Sequence, residues 1–195
     1  MNPTSHWLDN FVRSRAAQLA AFLWGLAEAT VFFIVPDVFL TLAGCRSLRA
    51  SMKACGWALC GALLGGVIMY TAGRNDPENA RDLLTRVPAI DAGLIQRVQI
   101  QESEHGLSAV LIGPTVGVPY KIYAVEWGAR QGNLPAFLLI SVPARGIRFL
   151  LTSLWAAGIA RLLAPWTRRR PQVEMAILAV FWIGFYVFYF SHFGW

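Results

Sequence analysis

The chain has 195 residues, of which 56% are apolar and 14% charged, against about 25% charged in an average soluble domain. With a mean hydropathy of +0.47, this composition excludes a disordered chain and argues for a polytopic membrane protein over a soluble globule. Its 15 Arg and 2 Lys against 11 acids give a net charge of +6. In a membrane protein such an excess marks cytoplasmic loops before it marks nucleic acid. The basic residues are spread along the chain without basic–aromatic clustering, so no nucleic-acid partner is expected.

The first fifteen residues carry Asp9, Arg13 and Arg15 and read as an amphipathic cytoplasmic segment (1–15). No small-residue cleavage site follows a short apolar core, so no cleavable signal peptide is expected. The apolar stretch 16–45 is interrupted by Glu28 and by Pro36-Asp37. Basic residues flank it on both sides, Arg13 and Arg15 before, Arg46, Arg49 and Lys53 after. If both flanks are cytoplasmic, the segment enters and returns on one side. Pro36 disfavours helix at the residue before it, so the reading is a re-entrant hairpin; the alternative is one long kinked helix.

The uncharged segment 54–73 is a clean span of about 20 residues. Its Gly61-x3-Gly65 allows close helix approach. Segment 74–105 has 4 Arg and 6 acids, a balance suited to the non-cytoplasmic side. Within it Leu83, Leu84, Val87, Ile90, Leu94 and Val98 recur at helical spacing, describing an amphipathic helix that Pro88 kinks or splits. Segment 106–134 is broken by Pro114, Gly117 and Pro119 and reads as a second hairpin. The span 135–160 follows, then the basic loop 161–171 with Arg168-Arg169-Arg170, the strongest inside signal. A C-terminal span, 172–195, ends in Phe185, Tyr186, Phe188, Tyr189, Phe190, Phe193 and Trp195, an interfacial aromatic belt.

The fold class expected is therefore an all-α integral membrane protein, with two oppositely oriented re-entrant hairpins and about three transmembrane helices. Hairpin, span, hairpin, span is the order of an inverted-topology repeat, whose site lies near the midplane where broken helices meet. The symmetry lies in hydropathy and proline placement, without sequence identity between the halves. Positions 46, 79, 133 and 167 are expected inside, outside, outside and inside.

Six ionisable residues fall in or near these segments: Glu28, Asp37, Lys121, Glu126, Arg145 and Arg148. Arg145 lies ten residues after Pro135, about 15 Å deep at 1.5 Å per residue. Arg148 is on the same helix face. Each such group costs at least about 2.5–3.5 kcal/mol unless paired or hydrated. One reading is a charge-paired lock, with Arg145 or Arg148 bonded to Glu28 or Asp37. The other is a hydrated cavity in which the guanidiniums hold an anion, since the planar fork matches phosphate, while the carboxylates exchange protons.

Other chemistry is absent from the sequence. Cys45, Cys55 and Cys60 show no metal-ligand spacing and read as small buried hydrophobes. His6, His105 and His192 share no motif. No phosphate-binding glycine loop, nucleophile elbow or zinc-protease motif occurs. No metal, cofactor or catalytic residue is expected, and an integral-membrane enzyme is the weakest option.

Four features in order resemble the DedA/VTT superfamily, the SNARE-associated Golgi protein-like membrane proteins. They are Glu28 with Pro36-Asp37; Gly61-x3-Gly65-x4-Tyr70-x2-Gly73-Arg74; His105-Gly106 through Pro114 to Gly117-Val118-Pro119-Tyr120-Lys121 and Gly128; and Arg145-Gly146-x-Arg148-Phe149. Together they cover residues 16–160. The departures are Asp37 directly after proline where members have Pro-Gly-Glu, Gly113 near a usual arginine, and Lys121 in place of a second arginine. Lysine cannot replace arginine's bidentate grip.

The resemblance implies two facing hairpins and movement of phospholipid or polyprenyl phosphate between leaflets of a bacterial inner membrane, driven in bacterial members by the proton motive force. On that reading Arg145, Arg148 and Lys121 contact the phosphate, while Glu28, Asp37 and Glu126 carry protons or balance charge. Pro36, Pro114, Gly117 and Pro119 shape the hairpins. Membrane lipids are the partners, and association into a homo-oligomer is left open. The alternatives are a small-solute or ion transporter and a non-transporting membrane assembly factor.

Overall fold

The computed structural model describes residues 3–167 and 171–193. The basic run 168–170 and Trp195 of the aromatic end lie outside them, as do the side chains of His192 and Phe193. All regular structure among the described residues is helical, without a β-strand: α1 (Pro3–Val12), α2 (Arg15–Thr30), α3 (Asp37–Arg46), α4 (Leu48–Asn75), α5 (Pro77–Thr85), α6 (Ala92–His105), α7 (Ala109–Ile112), α8 (Tyr120–Ala129), α9 (Leu134–Thr167) and α10 (Pro171–Phe193). Three helices have the length and apolar character to cross a membrane: α4, α9 and α10. This is an integral membrane architecture.

Local chemistry sets the boundaries. Ser14 caps α2 by accepting from the Ala17 amide at 3.2 Å, and Ser47 caps α4 by accepting from Ala50, satisfying amides that have no intrahelical partner. The cap at Ser47 starts α4 six residues before the apolar span expected at 54. Helix α9 runs on past 160, because Arg161 is a good helix former and a charge does not end a helix. The amphipathic stretch expected over 74–105 is split: residues 86–91 are non-helical, Ala89 adopts a φ of +64°, and Asp91 caps α6 through the Leu94 amide at 2.6 Å. Pro88, in the middle of this break, lacks the amide a continuous helix needs.

Helix α4 is the axis on which the rest is built. Its first half packs on α2, its second on α8, and both seams are made of small residues. A Cβ on Gly61 would strike the Phe22 carbonyl of α2, and one on Gly73 would strike the Val125 carbonyl of α8. Backbones approach this closely only where no side chain intervenes. Helix α9 then lies across α3 and α4. Its Ser153 accepts from Ser51 at 2.8 Å, and its Phe137 and Phe149 are fully buried.

The outer surface is apolar. Leu139, Ile147, Leu151 and Leu162 on α9, and Val180, Val187 and Phe188 on α10, are exposed, as suits helices solvated by lipid rather than water. Only 6% of the α10 span is buried. That helix touches the body through a row of aromatics: Trp182 donates to Thr41 at 3.0 Å, Tyr186 accepts from the Val35 amide at 2.9 Å, and Phe190 packs edge-on to Phe33.

Candidate functional site

The segment between α2 and α3, residues 31–36, is non-helical. It is held by the Trp24 indole, which donates to the Ile34 carbonyl at 2.9 Å, and it ends at Pro36, which precedes α3 and leaves Asp37 in the first turn. A carboxylate there faces the positive end of the helix dipole. The segment before α8 is broken in another way. A 3-10 turn, Gly113–Val116, contains Pro114 and ends at Gly117 with φ +90°, a conformation glycine adopts without cost. Pro119 then enters α8 in extended conformation. All four residues expected to form breaks, Pro36, Pro114, Gly117 and Pro119, stand in or beside non-α backbone.

The two breaks meet. Lys121, in the first turn of α8, extends its ammonium to the Phe32 carbonyl of the 31–36 segment at 2.7 Å. Helix α9 brings two cations to the same place, with Pro143 just before them and unable to donate to Leu139. Arg145, 1% exposed, forks onto Glu28 at the end of α2. Its Nη1 donates to Oε1 at 3.3 Å and its Nη2 closes on Oε2. Its guanidinium lies 5.1 Å from the centroids of both Tyr120 and Phe149, a cation held between aromatic faces. The Tyr120 hydroxyl is in turn fixed on Ser141 at 2.9 Å. One turn along α9, Arg148 donates to Asp37 Oδ2 at 2.7 Å, and Thr152 donates to Oδ1 at 2.8 Å.

Five of the six embedded charges expected from the sequence are thus in one cluster. Three are cations and two are anions, so the fully ionised set carries one excess positive charge. The excess sits on Lys121. It lies in the field of Glu28 and Arg145, yet among the described residues its only hydrogen-bond acceptor is an uncharged carbonyl. Arg148 is the most open member, with 27% of its side chain exposed, against 1% for Arg145. Beside Arg148 stand Tyr186 and Tyr189 of α10, both within reach of its charge. No family model, curated protein or solved structure matches the chain.

The sixth charge, Glu126, is elsewhere. Its carboxylate, 1% exposed, accepts from Arg81 Nε at 2.7 Å and Nη2 at 2.8 Å, and from Gln99 at 3.0 Å. It joins α8 to α5 and α6 and makes no ion pair with Lys121, Arg145 or Arg148. The bonds from Glu126 hold Arg81 protonated, above the ordinary arginine value. Sequence reading had no way to pair Glu126 with Arg81, which counted only as part of a charged linker. It also missed Glu102 of α6, which is 2% exposed.

Among the described residues no group of His, Cys, Asp and Glu is placed to hold a metal. Cys55 is buried, Cys45 half-buried and Cys60 exposed, where the sequence suggested three buried thiols. Cys60 stands on the outer side of α4, a face that an apolar solvent covers as well as a core would.

Proposed function

We propose that the chain is a membrane lipid transporter that moves phospholipid or polyprenyl phosphate between leaflets, with the headgroup at the Glu28–Asp37–Lys121–Arg145–Arg148 cluster and the acyl chains in the bilayer. The observation that carries this reading is the buried excess positive charge on Lys121. A net cation in a low-dielectric site is expensive, and a phosphate oxyanion is the counter-charge that relieves it. Arg148, partly open, supplies further donors for the same group, since it spends one N–H on Asp37. Arg145 is held by Glu28 and sets the field rather than gripping the ligand.

Helix lengths support the re-entrant arrangement. At 1.5 Å per residue, α3 and α8, ten residues each, rise only about 15 Å, half the thickness of a hydrocarbon core. Neither crosses alone, and non-helical backbone at that depth is stable only inside protein or against water. The inverted repeat is part of the proposal, and it is supported by two broken elements, one seated on each half of the same glycine-lined helix α4. The order of motifs over 16–160 resembles the DedA/VTT superfamily and points the same way, with an inner-membrane location and proton coupling as part of the proposal.

The test is reconstitution into liposomes with headgroup-labelled phospholipid or polyprenyl phosphate, with and without a pH gradient. Transfer of label between leaflets is the expected result. Flux of a small solute without lipid transfer favours the solute-transporter alternative, and no transfer under any condition removes the proposal.

A second reading has its own observation. Arg145–Glu28 and Arg148–Asp37 are complete pairs joining α9 to α2 and α3, as a fold lock in an assembly factor would be. Apolar replacement of both partners then preserves function, which the transport reading forbids.

A further inference from the structure

Glu102 stands apart from the Lys121 cluster, and a long-range contact with Arg130 is its one ion pair among the described residues. It is the last residue of the apolar stripe of α6, following Leu94, Ile95 and Val98, and all four are buried. Its side chain is fully enclosed, and neither carboxylate oxygen has a hydrogen-bond partner. The nearest cation, Arg130, approaches Oε2 with Nε at 3.7 Å, too far for a hydrogen bond. One arm of that guanidinium is committed to the Gln99 carbonyl at 2.5 Å. An ionised carboxylate in this position lacks the two or three donors that make burial tolerable.

The neighbouring groups do not relieve it. From α8, Glu126 adds a second negative charge already saturated by Arg81 and Gln99, and Tyr123 directs its hydroxyl to Gln101 at 2.6 Å. The turn 106–108 and α7 contribute no charged residue. On α6 itself Glu104 and His105 are exposed and lie against each other. Burial is the largest influence on Glu102, followed by the opposing pull of Arg130 and the push of Glu126. The result is a carboxyl raised from its ordinary 4.5 to about 8.

We infer that Glu102 is a proton-binding site, filled near neutral pH, whose occupancy sets how tightly α6 is held against α8. The neutral carboxyl is accommodated in the apolar seam. Loss of its proton leaves an uncompensated charge there and loosens α6, where the group regains water. The sign follows from linkage: the docked state binds the proton more tightly than the loosened one, so docking is strongest at low pH. It weakens as pH rises from the ordinary carboxyl value towards about 8, then levels off. This inference is independent of what the Lys121 cluster transports.

The experiment uses the full chain in lipid nanodiscs. In an infrared pH titration, wild type shows a protonated-carboxyl carbonyl band that is lost with a midpoint near pH 8, and Glu102→Gln lacks it. Glutamine copies the shape of the neutral acid, so the variant stays folded. Arg130→Gln moves the midpoint upward, because Arg130 is the group that favours the anion. Amide hydrogen exchange over residues 92–105, taken as the ratio of wild type to Glu102→Gln at each pH, rises about tenfold per unit across the window and then flattens. A flat ratio, a carboxyl band that survives in Glu102→Gln, or a midpoint that Arg130→Gln leaves unmoved or lowers overturns the inference.

Discussion

Removing one member of the Glu28–Arg145 pair leaves the other stranded. Replacing Arg145 by methionine strips Glu28 of the guanidinium that donates to both its carboxylate oxygens, and it empties the space between Tyr120 and Phe149 of charge. Breaking a buried pair this way costs about 3–5 kcal/mol, with a cation–π loss of about 0.5–2 kcal/mol in addition. A single Glu28→Leu change costs a similar amount, because Arg145 is then an unpaired cation at 1% exposure. The double variant Glu28→Leu/Arg145→Met removes both charges, and apolar replacement of a whole pair is often neutral. The two single losses should therefore exceed the double loss by at least about 2 kcal/mol in a double-mutant cycle. The assay is unfolding in mixed detergent micelles, followed by far-ultraviolet circular dichroism. Single variants within about 1 kcal/mol of wild type, or strict additivity, would refute the placement of this pair in a sealed, low-dielectric site.

Two further predictions test the frame around it. Gly56→Ala, on a face of α4 where a Cβ meets nothing within 4 Å, should leave stability unchanged or raise it by up to about 1 kcal/mol through helix propensity. Gly61→Ala, whose Cβ meets the Phe22 carbonyl, should lose about 1–3 kcal/mol or more as α2 is forced off α4; equal effects in a thermal melt would show that the seam is not close-packed. Single cysteines at positions 46, 79, 133 and 167, in a chain with Cys45, Cys55 and Cys60 replaced, should react with an impermeant thiol reagent from the inside, outside, outside and inside. Labelling of 79 and 133 from opposite sides would contradict the two-hairpin topology.

Much of the fold was legible because a bilayer leaves few choices. Twenty uncharged residues from 54 to 73 have the length and apolar character of a span, and Pro36, Pro114 and Pro119 announce breaks through their missing amides. The candidate site was legible as a set of charges but not as a set of pairs. Cost alone marks Glu28, Asp37, Lys121, Arg145 and Arg148 as exceptional, whereas which arginine meets which acid depends on how α9 rotates against α2 and α3. Glu126 was grouped with them because it lies in an apolar stretch. Its true partner, Arg81, stands forty-five residues earlier in a segment where charge reads as solvent exposure. Glu102 was concealed for the same reason, among Gln101, Ser103, Glu104 and His105. A signal was there: Leu94, Val98 and Glu102 are spaced by four, so the apolar stripe continues directly onto the acid.

The Lys121 ammonium, bonded only to the uncharged Phe32 carbonyl among the described residues, is the group that the lipid phosphate is proposed to meet. The most direct measurement is leaflet-to-leaflet transfer of labelled lipid phosphate in liposomes holding equal amounts of folded wild type, Lys121→Met and Arg148→Gln. Lys121 has no ion-pair partner among the described residues, so its loss should spare the fold while cutting transfer at least about tenfold, the loss of about 1.4 kcal/mol of binding, and Arg148→Gln should reduce transfer as well. Transfer by Lys121→Met at the wild-type rate would contradict the assignment of the cluster as a headgroup site.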